Sequence, residues 1–166
     1  MNSAAIVETL EKQVQIYQAL LETSNQKKPI LISNDVEQLN ALTKKERQQM
    51  QQAEALEQLR IQQANQYFLS FGIIRTRAGS ITDIIRIVTN AQDKKRLLEL
   101  QQQLSDLLDE LRRTNELNQQ LITQSLRFIE YSLDLMVEDP TEDITYQHPK
   151  NPGYGNSRNG LFDTRG

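Results

Sequence analysis

Between Leu97 and Met136 the chain contains neither glycine nor proline, and its leucines recur at helical spacing. Leu97, Leu100, Leu104, Leu107 and Leu111 alternate steps of three and four, which draws a heptad seam along one face of a helix. Past Thr114 the apolar set moves round and broadens to Leu117, Leu121, Ile122, Leu126, Phe128, Ile129, Leu133, Leu135 and Met136. At about 1.5 Å per residue this stretch makes a rod roughly 60 Å long. A single rod cannot bury its own stripe, so it needs partner helices in this chain or in another. The narrow seam suits one intramolecular partner. The wider face beyond Thr114 exceeds what a small chain can cover.

Little core is available elsewhere. With 37% apolar residues, five Tyr and four Phe, the 166-residue chain reads as one domain, or one elongated helical unit with a tail. The glutamine runs at Gln48–Gln49, Gln51–Gln52 and Gln101–Gln103 lie among recurring leucines and are read as helix. A net charge of −3 gives no nucleic-acid footprint, and the pairs Lys27–Lys28 and Lys44–Lys45 read as solvated helix ends. The absence of cysteine excludes a disulfide scaffold and a thiolate metal site. No apolar run has the length of a bilayer span and no signal-peptide layout opens the chain, so no membrane insertion is expected and the expected location is cytoplasmic.

Taken in order, the chain predicts four helices, at about 3–25, 35–71, 81–88 and 91–137. The first opens at Asn2 or Ser3 and carries the stripe Ile6, Val7, Leu10, Val14, Tyr17, Leu20 and Leu21. Lys27–Lys28–Pro29 is expected to break it, leaving Ile30, Leu31 and Ile32 as a packed connector. Asn34 and Glu37 stand at capping-box spacing for the second helix. Its expected inner face is Val36, Leu39, Leu42, Met50, Ala53, Leu56, Leu59 and Tyr67, with Gly72 as the stop. Ser80 and Asp83 have the spacing to cap a short amphipathic helix that folds over the end of the long ones. Arg75 and Arg77 precede it, in what reads as a helix–helix connection; contact with an acidic partner is the other reading. Asn90 caps the last helix, with Asp93 in its first turn. The bundle therefore spans 1–138, and 139–166, holding three of the four prolines, reads as a flexible tail whose bulky groups are Tyr146, Tyr154, Leu161 and Phe162.

Catalysis is not expected. The sole histidine, His148, lies beside Pro149 with no second His or Cys to complete a metal site, so neither a metal nor a cofactor is expected. Asp106, Asp109 and Glu110 decorate a solvated helix face, and Gly153 and Gly155 do not form a phosphate loop. Two readings remain: a coiled-coil scaffold or adaptor, and a binding module whose broad apolar face accepts a partner helix. The seam that breaks at Thr114, and the aromatic-bearing tail, favour the binding module.

The order of helices, the stretch Leu56–Glu57–Gln58–Leu59–Arg60 and the block Asn115–Glu116–Leu117–Asn118–Gln119–Gln120–Leu121–Ile122 resemble the FlgN-type flagellar export chaperones. The last block looks like the family's Asn-x-x-Asn-x-x-Leu-[Leu/Ile] pattern, and Thr145–Tyr146 resembles the Thr-Tyr pair of its tail. The sequence departs from the family at Thr114, often a leucine there, and at Gln147, where glycine is common. The resemblance implies a chaperone that binds the C-terminal helical regions of the hook–filament junction proteins FlgK and FlgL. It would keep them from self-associating and pass them to the export gate of the flagellar type III apparatus. It also implies docking of Tyr146 to the cytoplasmic domain of the gate protein FlhA, with Tyr131 and Tyr154 as alternatives.

The expected protein is an all-α, elongated antiparallel helical bundle that works by helix-in-groove recognition. The expected client contacts are Leu117, Leu121, Ile122, Leu126, Ile129 and Leu133, with Asn115 and Asn118 orienting the client at its edge. Exposed stripes pair with a second copy as readily as with a client, so a homodimer stays open.

Overall fold

The computed structural model describes residues 3–137. Four helices follow one another: α1 (Ser3–Ser33), α2 (Val36–Ser70), α3 (Ile81–Ile87) and α4 (Ala91–Val137). No strand occurs among the described residues, and the long helices pack against each other. The chain divides into two units, Met1–Ser125 and Leu126–Gly166. The expected tail, with Tyr146, His148, Tyr154, Leu161 and Phe162, lies outside the described residues.

In the first unit α1 and α2 run antiparallel, as their polar links show: Gln13 to Glu57, Ala19 to Gln49 and Lys27 to Glu46. α4 returns alongside α1 in the same direction, with Ser3 bonded to Asp93, Glu11 to Arg96 and Ser24 to Asn115. The core gathers where all four helices meet. Ile6, Leu10 and Val14 of α1 close on Ala64, Tyr67 and Phe68 of α2, on Ile84 and Ile85 of α3, and on Leu97, Leu100 and Leu104 of α4. The heptad seam is thus buried over its first turns.

Local chemistry sets most helix ends where the sequence places them. Asn90 accepts the N–H groups of Gln92 (2.9 Å) and Asp93 (3.0 Å) at the start of α4. Ser80 and Asp83 form a reciprocal capping box on α3. Gly72, at φ +71°, ends α2 in a Schellman turn, with its N–H on Leu69 O and the Ile73 N–H on Phe68 O.

Three expectations are corrected. First, α1 does not end near Asn25 but runs through Pro29 to Ser33. Proline removes the bond to the Asn25 carbonyl, but Asn25 and Pro29 are both exposed, so water meets that carbonyl, while burial of Leu31 holds the following turns. Second, Asn34 is not the cap of α2. It takes φ +54° and closes α1, and the Asp35 N–H returns to Ile30 O; Asp35 then caps α2 by accepting the Gln38 N–H. Third, Val36, Met50 and Leu59 are exposed; of the expected inner face α2 buries Ala53 and Tyr67, and it adds Arg60, Ala64 and Phe68. Two alanines on that face let α1 and α2 approach more closely than leucines would.

Candidate functional site

Asn115 and Asn118 are expected at the open edge of a docking face. The structure buries Asn118 against α1, while Asn115 bonds to α1 but stays exposed. Asn118 is only 5% exposed and donates to Ser24 O at 2.8 Å and to Ser24 Oγ at 3.3 Å. Asn115 accepts the Ser24 hydroxyl at 2.7 Å. Thr23 is buried beside Ser24, and its hydroxyl bonds back to Ala19 O. A polar layer therefore replaces leucine packing between α1 and α4 at this height. The sequence conceals it because Ser24 lies some ninety positions upstream of the asparagines it meets.

The six expected apolar contacts do not share one face. Leu121 and Ile122 are both half-buried, and consecutive residues of a helix point about 100° apart, while Leu117 is more exposed. In the second unit Leu126 (56% exposed), Ile129 and Leu133 (54% exposed) lie at steps of three and four with Met136, one apolar stripe open to solvent. Phe128, Tyr131 and Leu135 form a second exposed stripe, centred about 150° round the same helical segment. Arg127, Glu130 and Asp134 separate the two on one side.

The first unit also holds a groove of about 790 Å³ floored by Tyr17 and Leu20 of α1, with Met50 and Ala53 of α2 and Leu111 of α4 on its walls. Below it sits a network that sequence reasoning missed. Buried Arg60 grips Glu57 with two nitrogens, at 2.8 and 2.6 Å, and donates to the Gly79 carbonyl at 2.8 Å; Gln13 reaches the same carboxylate at 2.8 Å. The hydrogen bond from Arg60 holds the Glu57 carboxyl below its usual range against the opposing effect of burial, with help from Gln13. Burial, then the Glu57 charge, raise the nearby Tyr17 phenol. The available signal was the three-residue spacing of Glu57 and Arg60, which is common on exposed helices.

Among the described residues no cluster of His, Cys, Asp and Glu has metal-site geometry, and no helix is long and apolar enough to cross a membrane. Arg75 is spent internally: it bonds Asp83 at 2.8 Å and stacks 4.5 Å from the centre of the Phe68 ring.

Comparison with known proteins adds to this picture. The uncharacterized protein YvyG of Bacillus subtilis (strain 168) is 29% identical over 137 residues, 82% of this chain and 82% of that one. No solved structure matches the chain. The family model described as FlgN protein matches residues 1–153, nearly the whole sequence. With its helices in the expected order and an unpaired apolar stripe at the end of the longest one, the chain belongs to the FlgN-type flagellar export chaperone family.

Proposed function

We propose that this flagellar export chaperone binds the C-terminal helical regions of the hook–filament junction proteins FlgK and FlgL in the cytoplasm. It keeps them from self-associating and delivers them to the export gate, where Tyr146 docks on the cytoplasmic domain of FlhA. The chain performs no catalysis in this role. The observation that carries the reading is the exposed stripe of Leu126, Ile129 and Leu133, which suits the apolar face of one amphipathic client helix. Because a chaperone must release its cargo, affinity between about micromolar and nanomolar is expected.

Calorimetric titration with the C-terminal helical segments of FlgK and FlgL tests this. One segment should bind per chain, and a Leu126→Asp/Ile129→Asp variant with an unchanged circular dichroism spectrum should lose that binding. Tyr146→Ala should weaken association with the FlhA cytoplasmic domain and leave client binding intact. Failure of the intact protein to bind either segment would sink the reading.

A further inference from the structure

A second apolar display lies in the connector between α2 and α3 and the last turn of α2. Phe71 and Ile73 are exposed in the connector, as is Leu69 in the last turn of α2, and Ile74 is 86% exposed. This exposure does not come from a loose loop. The Ile73 N–H is fixed on Phe68 O at 3.0 Å, and the next side chain along, Arg75, is clamped between the Phe68 ring and Asp83. Phe71 is held edge-on to the Tyr67 ring at 5.2 Å. Further on, the Gly79 carbonyl is bound by Arg60, and Asp83 is locked in its capping box with Ser80. Ile74 thus stands between pinned neighbours and faces solvent, where a polar residue would serve the fold equally well.

The charge around it has one sign. From residue 61 to 90 the charged residues are Arg75, Arg77, Asp83 and Arg86. Arg75 and Asp83 neutralise each other. Arg86 has a side chain 75% exposed and touches Asp83 only at 3.9 Å. Arg77 is exposed and forms no salt bridge with a described residue. Three arginines thus share the one carboxylate of Asp83 in and after the connector that carries this apolar tip, leaving an excess of positive charge there on a chain whose net charge is −3. Arginine favours carboxylates through its planar fork.

We propose that this tip is a docking site for an acidic protein segment that carries a bulky apolar side chain, with Ile74 and Phe71 making the apolar contact and Arg77 and Arg86 the carboxylate contacts. The site is separate from the stripe on α4 and does not depend on the client assignment. An anionic lipid surface is the competing occupant; two arginines contribute only about 1 kcal/mol each at such a surface, which disfavours it.

Fluorescence anisotropy of a labelled amphipathic peptide of leucine, alanine and glutamate tests the assignment on the full chain. The peptide should bind and should weaken at high salt. Ile74→Asp and Arg77→Glu/Arg86→Glu should each reduce affinity by about tenfold or more with unchanged melting temperature, since these side chains are exposed. Leu126→Asp/Ile129→Asp should leave this binding intact. A matched peptide with lysine for glutamate should bind far more weakly. The proposal is overturned if the acidic peptide does not bind, if Ile74→Asp has no effect, or if the lysine peptide binds equally. Binding to phosphatidylglycerol vesicles that Ile74→Asp abolishes, without peptide binding, would also overturn it and give the tip to lipid.

Discussion

Replacing Arg60 by alanine should be among the most damaging single changes to the first unit. The guanidinium is buried and joins three elements: Glu57 on its own helix, Gln13 of α1 through that carboxylate, and the connector through the Gly79 carbonyl. Orphaning a buried acceptor such as Gly79 O costs about 1–3 kcal/mol. The pair with Glu57, whose side chain is 41% exposed, adds about 0–1 kcal/mol. Loss of the packed aliphatic stem adds to this, so the expected destabilisation is about 2–4 kcal/mol. With a urea dependence of about 2 kcal/mol per molar, the unfolding midpoint followed by circular dichroism should fall by about 1–2 M. Arg60→Lys should recover less than half of this, because an ammonium cannot reproduce the fork.

Acid should shrink the effect, and its sign follows from Glu57. Arg60 lowers the folded-state value of that carboxyl, so the unfolded chain binds the proton more readily. The stability linked to it is present above the ordinary carboxylate range and disappears as pH falls through the lowered folded value. The gap between wild type and Arg60→Ala should therefore narrow, by up to about 1 kcal/mol, as pH falls below the ordinary carboxylate range, while the part due to Gly79 and the packed stem remains. A difference under about 0.5 kcal/mol at neutral pH, or one that stays constant down to about pH 3, would refute the reasoning.

Three further outcomes are expected. Gly79→Ala should destabilise by about 1–3 kcal/mol in thermal melts, because the added Cβ overlaps the buried Phe68 ring. Asn118→Ala should cost about 1 kcal/mol by removing the side chain that ties α4 to Ser24 of α1, yet leave client affinity unchanged in calorimetry, which separates an intramolecular role from client orientation. Pro29→Ala should stabilise α1 by about 1–3 kcal/mol in urea unfolding, restoring the missing helical bond at an exposed site.

What the sequence discloses, and what it hides, divides by distance along the chain. Ser80 with Asp83, Asn90 with its first turn, and Gly72 each speak to neighbours within a few residues, and each does in the structure what its local chemistry dictates. The leucines of α4 are equally legible up to Leu104, since one period repeats. Reading failed where a distant contact overruled a local rule. Pro29 reads as a breaker, but burial of Leu31 carries the helix past it. Asn118 reads as a docking edge because the Ser24 that buries it is far away in sequence. The burial of Arg60 has no sign in the sequence, because the Gly79 carbonyl that meets it comes from the connector. The broad apolar face past Thr114 was visible, whereas its resolution into two stripes at the end of α4 required exposures for each residue.

The uneven make-up of the α1 seam has a consequence for how the first unit breathes. From Ile6 to Val14 its buried aliphatic side chains join the four-helix core, whereas at Thr23 and Ser24 the fully buried contacts are hydroxyls. Hydroxyl contacts forfeit less on exposure to water than leucine packing does. Amide hydrogen exchange should therefore fall into a gradient along α1, slowest near Leu10 and faster beyond Ser24, with Lys27–Glu46 the clasp that sets the rate of the outer section. Thermal opening would begin beyond Ser24 and stall at Val14, so the helix would fray by halves while the knot around Leu10, Phe68 and Leu97 stays tied.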